Sequence, residues 1–172
     1  MLSEKIGGGE ERMKLYIKQR VFSIGDKYNI YDEREQLVYH VNSQLFSLGA
    51  KLFLMNEEEE EQYFIKQRIT FLLKEYEIYK GDYLCASIEQ KLGFLKSRLT
   101  IKSMYGDFEI NGDLWDLDYE IVKDGDYFGA VHKVFLSWGD SYELDIPEET
   151  DSAFFSAIVI AIDQCLHNES NS

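Results

Sequence analysis

The stretch DSAFFSAIVIAIDQCLHN (151–168) limits the fold more than any other part of this chain. Residues 153–162 are apolar apart from Ser156, with no polar stripe at helical spacing. Glu149, Thr150 and Asp151 precede the run as helix-start residues and His167 sits at its end, so a helix is predicted over about 149–167. A helix that is apolar on every side has to be surrounded, by lipid or by protein. A bilayer core needs about 20 consecutive apolar residues, and this run is too short to cross one. The solution left is a helix enclosed by the rest of the chain.

The rest of the chain reads as strands. Of twelve glycines, six precede an aspartate: Gly25, Gly81, Gly106, Gly112, Gly125 and Gly139. Glycine supplies the positive φ of tight turns and aspartate bonds back to the turn backbone. Asn111-Gly112 is the strongest single hairpin signal. Runs rich in Val, Ile, Tyr and Phe with period-two alternation lie between the turns. They predict strands at 13–22, 27–32, 36–43, 51–56, 62–70, 74–80, 83–90, 98–104, 107–111, 114–122, 126–135 and 141–146. So many short strands with short connections make an antiparallel sheet large enough to close. The fold class expected is mainly β, a closed antiparallel barrel of about twelve strands around the C-terminal helix.

The chain also repeats itself. A shift of 48 aligns LYIKQRVFSIGDKYNIYD (15–32) with YFIKQRITFLLKEYEIYK (63–80), so that Tyr28, Ile30 and Tyr31 meet Tyr76, Ile78 and Tyr79. A weaker third copy begins at Tyr119, where YEIVKDGDYFG matches YEIYKGDYLC. The unit is a block of four strands, present nearly three times.

At 172 residues the chain holds one domain with a substantial core. The net charge of −14 opposes bulk attraction to nucleic acid or to an anionic membrane. Cys85 and Cys165 lie among apolar neighbours, with no C-x-x-C and no Cys/His cluster, and are read as reduced buried thiols of a cytoplasmic protein. The opening MLSEKIGGGEER has no apolar signal-peptide core and is read as a flexible leader over 1–12, with Met13 as an alternative start. The domain is placed at 13–168 and a disordered tail at 169–172.

Four stretches, taken in order, resemble the LURP-one-related family in its bacterial YxjI-like branch: LYIKQRVFSIGDKYNIYD, FEINGDLWDLDYEI (108–121), AVHKVFLSWGDSYELDI (130–146) and the final AIVIAID (157–163). The resemblance covers about residues 13–168 and implies the tubby-like fold, a barrel around a hydrophobic helix. Tubby proteins bind phosphoinositides, and related scramblase-type proteins act at membranes. Their lipid-contacting residues have no position-by-position match here, so none is carried over.

The candidates for chemistry are few. In the repeated IKQR, Gln19 and Gln67 share a face with the apolar residues and are read as hydrogen-bonded structural groups. The cations take the other face. Lys18 and Arg20, Lys66 and Arg68, and Lys96, Arg98 and Lys102 form a candidate phosphate or lipid-headgroup site if their three strands are neighbours, and ordinary solvated residues if they are not. Glu57–Glu61 reads as a solvated loop. Asp116, Asp118 and Glu120 read as one acidic strand face, where same-face side chains stand about 6.8 Å apart, too far to share one small cation. His40, His132 and His167 make no metal-ligand pattern, and Ser137-Trp138-Gly139 lacks the first glycine of a nucleophile elbow. No cofactor, metal or catalytic residue is assigned.

Three functions fit these residues. The first is a non-catalytic binding or scaffold protein acting through its outer surface, its determinants being whichever of Tyr28, Tyr31, Tyr76 and Tyr79 are left exposed and not taken into the core. The second is a peripheral membrane protein that uses the Lys/Arg strand faces on anionic phospholipid. The third is a metal-dependent or hydrolytic enzyme, disfavoured because a barrel filled by its own helix leaves little room for substrate. The partner expected is a protein or an anionic phospholipid.

Overall fold

The computed structural model describes residues 10–19, 26–44, 47–70, 75–89, 98–136 and 139–167. It contains β1 (Arg12–Gln19), β2 (Asp26–Tyr31), β3 (Leu37–Ser43), β4 (Lys51–Asn56), β5 (Glu61–Arg68) and β6 (Glu75–Lys80). These continue into β7 (Tyr83–Glu89), β8 (Arg98–Ser103), β9 (Gly106–Asp113), β10 (Asp118–Lys123), β11 (Asp126–Leu136) and β12 (Gly139–Pro147). The chain then enters a single helix, α1 (Ser152–His167). Each strand pairs antiparallel with the next, and β12 pairs with β1, so the barrel is closed. Closure gives every strand two neighbours around the wall, which limits the open edge available for aggregation.

Alternation sends one face of each strand inward onto α1, and every residue of α1 from Ala153 to Leu166 is buried. Phe154, Phe155, Ile158, Ile160 and Ile162 pack against inward residues such as Ile17, Ile65, Ile78, Ile110 and Ile121 in one core. Each such side chain contributes about 1.5–3 kcal/mol by leaving water. The enclosed helix expected from its all-apolar surface is the helix observed, starting at Ser152 rather than 149.

The repeat has a physical meaning inside the barrel. Tyr28, Tyr76 and Tyr119 are its equivalent positions, on β2, β6 and β10, one in each block of four strands, and all three are buried. Tyr28 donates to the Asp163 carboxylate and accepts from Gln164 Nε2 at 2.6 Å, while Tyr76 donates to the Gln164 carbonyl at 3.4 Å. Burial and the nearby Asp163 push the Tyr119 hydroxyl's pKa up, yet that hydroxyl has no hydrogen-bond partner among the described residues. The three blocks thus aim equivalent tyrosines at the buried polar residues near the end of α1. Tyr28 and Tyr76 are therefore core residues, not exposed determinants, and Tyr31 and Tyr79 are half-buried.

Three local expectations change. Asn111-Gly112 is not a hairpin tip: it lies within β9, where Gly112 (φ +141°) passes so close to β10 that a Cβ would stand 2.6 Å from the Asp118 carbonyl oxygen. The turn is instead 114–117, so β10 starts at Asp118 and Asp116 leaves the expected acidic face. Leu117 there takes φ +49°, a conformation costing about 1 kcal/mol or more, while its side chain is fully buried. Finally, β1 starts at Arg12, one residue before the strand expected from 13, and Arg12 bonds Asp145 at 2.7 Å.

Replacing the orphan hydroxyl and the bonded one has opposite consequences. Tyr119→Phe is expected to leave stability unchanged or raise it, whereas Tyr28→Phe strips a donor from a buried carboxylate and costs about 1–3 kcal/mol. Urea unfolding of the two variants checks this.

Candidate binding surfaces at the barrel mouth

The three cationic strands are not neighbours. β5 and β8 are separated by β6 and β7, and β1 is separated from β5 by β2, β3 and β4. Three strand spacings put β5 about 14 Å from β8 along the wall. Each cationic strand instead lies beside a strand bearing carboxylates. Lys14 meets Glu143 of β12 at 2.8 Å, which raises its pKa, and Arg68 meets Glu75 of β6 at 2.9 Å. Lys66 is exposed, in register with Glu77 and Lys51, and exposed Lys102 is in register with Asp107. Lys18 is half-buried opposite Asn29, and Arg98 begins β8 opposite Asn111. Arg20 and Lys96 lie outside the described residues. The cations described on β1, β5 and β8 are therefore spread around the wall.

The acidic features are also dispersed. Glu57–Glu60 form an exposed turn held by Asn56 Oδ1, which accepts from the backbone N–H of Glu58 and Glu60 at 3.1 and 2.8 Å. Asp118 contacts His132 Nδ1 at 2.6 Å across β10 and β11. Among the described residues no group of three or more His, Cys, Asp or Glu is arranged to hold a metal ion. Gln67 has the structural role expected of it: its Oε1 accepts from the Ala50 N–H at 3.0 Å. Gln19, at the end of β1, is exposed instead.

The densest polar arrangement lies at the mouth where α1 begins. Asp151 caps the helix, its Oδ1 accepting from the Phe154 N–H at 2.9 Å. Its Oδ2 accepts from the hydroxyls of Tyr63 and Tyr105 at 2.7 and 3.0 Å and lies 3.6 Å from Lys80 Nζ. Burial pushes this carboxyl's pKa up, but the Tyr63, Phe154 and Tyr105 donors and the Lys80 charge outweigh it and hold the pKa below the ordinary 3.8. The cap ties β5, β6 and the β8–β9 turn to the start of the helix.

Around this hub the barrel rim is apolar. Tyr83, Leu84 and Met104 are 80%, 53% and 62% exposed, and Tyr105 stands beside them with its ring edge-on to Phe154. The two hairpin tips are joined where the Met104 N–H donates to the Cys85 carbonyl at 2.8 Å. A register shift between Ile78 and Tyr79 leaves both Cys85 and Ala86 buried, which reverses the phase of β7 and turns Leu84 outward. Simple alternation from Ala86 and Ile88 places Leu84 inside, so no sequence signal marked this rim. Both cysteines are buried, and neither is in a disulfide.

Asp151's lowered pKa makes its stabilising effect pH-dependent. A depressed carboxyl stabilises the fold above its unfolded pKa, and the effect is lost as pH falls through the folded value. Asparagine caps a helix as well as aspartate, so the stability gap between wild type and Asp151→Asn reports the lost charge opposite Tyr63, Tyr105 and Lys80; it is expected to be full at pH 7, about 1–2 kcal/mol, and to shrink below about pH 4. Denaturant titrations across pH check it.

Comparison with known proteins places this architecture. The model of the family described as LURP-one-related matches residues 13–163. The uncharacterized protein YxjI of Bacillus subtilis is 34% identical over 157 residues, covering 91% of this chain and 96% of that protein. An X-ray structure of a protein from Arabidopsis thaliana superposes with a TM-score of 0.66 at 14% identity, covering 90% of this chain and 91% of that one. The chain belongs to the LURP-one-related family and carries its tubby-like barrel.

Proposed function

We propose that this protein is a non-catalytic binding or scaffold protein acting from the cytosol, and that its contact surface is the rim formed by Tyr83, Leu84, Met104 and Tyr105. The observation that carries the reading is the pairing of a filled interior with an apolar rim. α1 occupies the space inside the barrel that a substrate needs, while large apolar side chains on two adjacent hairpins face water. Clustered exposed side chains of this kind characterise protein interaction sites, and aromatics and Met are enriched there. Among the described residues no helix is long and apolar enough to cross a membrane.

The alternative is contact with anionic phospholipid through Lys18, Arg20, Lys66, Arg68, Lys96, Arg98 and Lys102. It requires separate strands to engage a headgroup independently, because β1, β5 and β8 are spread around the wall.

Two variants separate the readings: Leu84→Asp/Met104→Asp for the rim, and Lys66→Glu/Arg68→Glu/Arg98→Glu for the strands. The expected outcome is a protein partner that is held by the tagged wild-type chain and lost by the rim variant, with no sedimentation on anionic vesicles. Salt-sensitive vesicle binding lost only in the strand variant supports the alternative. Partner capture indifferent to the rim variant contradicts the proposal.

A further inference from the structure

The wall of the barrel has a notch at the mouth where α1 begins. β1 runs from Arg12, but its pairing with β2 begins only at Tyr16↔Tyr31, because β2 ends at Tyr31 and turns away through residues 32–36. The start of β1 is therefore flanked by β12 on one side and, on the other, by the β2–β3 turn instead of a strand. The result is a cleft of about 250 Å³ lined by Met13, Lys14 and Leu15, by Asp32, Glu33 and Arg34, and by Val38, Tyr39 and Ser152.

The lining sorts by chemistry. Met13, Leu15, Val38 and the Tyr39 ring give an apolar floor. Tyr39 and Ser152 add hydroxyls 3.0 Å apart. Lys14 is neutralised by Glu143. Arg34 is exposed, and its guanidinium has no partner among the described residues. Opposite charge stands beside it. Asp32 uses Oδ1 to hold the turn, accepting from the Arg34 and Gln36 N–H groups at 2.8 Å each, and its Oδ2 has no partner among the described residues. Glu33 is exposed next to it. The turn itself is tied by backbone bonds from Asp32 N–H to the Gln36 carbonyl and from Glu35 N–H to the Asp32 carbonyl, at 2.9 and 3.1 Å, so the two signs of charge are presented on a fixed loop.

One free cation, available carboxylate oxygens and an apolar floor in so small a space fit a ligand that carries both charges and a short apolar group. We propose that this notch binds a small zwitterion of the α-amino-acid type, its carboxylate on Arg34, its ammonium on Asp32 and Glu33, and its side chain on Met13, Leu15 and Val38. A volume of 250 Å³ lies just below the usual range for small-molecule sites of about 300–1,000 Å³, which restricts the ligand to a free amino acid or a dipeptide. The inference is independent of the rim, which lies on different strands.

The test is a titration of ¹⁵N-labelled full chain with L-leucine, leucyl-leucine, 4-methylpentanoate and isoamylamine, followed residue by residue. L-leucine is expected to give saturable shifts at residues 13–15, 32–39 and 152. The two singly charged analogues are expected to bind at least about tenfold more weakly, each having lost one ionic contact. Arg34→Gln, a change at an exposed turn, is expected to weaken L-leucine by about tenfold while the remaining spectrum is preserved. Tighter binding of leucyl-leucine assigns the ligand to peptides, and weaker binding assigns it to free amino acids. Absence of saturable shifts at the notch by about 10 mM, affinity equal for the singly charged analogues, or affinity unchanged in Arg34→Gln overturns the proposal.

Discussion

The structure depends on the complete burial of one helix. α1 has no face suited to water, and the twelve strands have no other apolar mass on which to close, so each supplies the other's missing surface. The dependence is tightest where polar atoms are involved. Asp163 and Gln164 are buried near the end of α1, and burying a carboxylate and an amide is tolerated only with partners. Tyr28 serves both side chains, donating to Asp163 and accepting from Gln164 Nε2, and Tyr76, at the equivalent point of the repeat, donates to the Gln164 backbone carbonyl. At the other end Asp151 joins the helix cap to Tyr63, Tyr105 and Lys80. The helix is held in register at both ends by hydrogen bonds and along its length by packing.

This arrangement explains why the repeat survives in the sequence as a pattern and not as a motif. IKQR and its echo mark inward Ile17 and Ile65, which face α1, while Lys66 and Arg68 beside the second lie against Glu77 and Glu75 of β6. Cross-strand pairs of opposite charge contribute a few tenths to about 1 kcal/mol each, enough to favour register and too little to define a site. A helix meeting three similar blocks cannot satisfy all three alike. Tyr119 is left without a partner among the described residues, the residue of symmetry that a single helix cannot match.

Much of this was legible in the residues. All twelve strands lie close to where turn signals and alternation put them, and the enclosed helix follows from residues 153–162 alone. What misled was local. Asn111-Gly112 carries a turn signature, yet the glycine is needed for close approach to Asp118 and Tyr119. The stretch before β10 alternates like a strand, yet Leu117 reaches the core from a turn at positive φ. The candidate surfaces were less legible, for two distinct reasons. Whether cationic strands touch depends on their order around the barrel, which period-two patterning does not encode. Leu84 faces water because of a register shift, and the notch exists because β2 stops short of β1; both are features of pairing, invisible in either strand alone.

The central claim is that the helix is the core about which the barrel closes, and native-state hydrogen exchange tests it most directly. The amides of residues 156–165 are predicted to exchange only through global unfolding, with the same free energy and denaturant dependence as the best-protected amides of β6 and β10. Exchange of those helix amides through a lower-energy opening, with the strands still protected, would contradict the account.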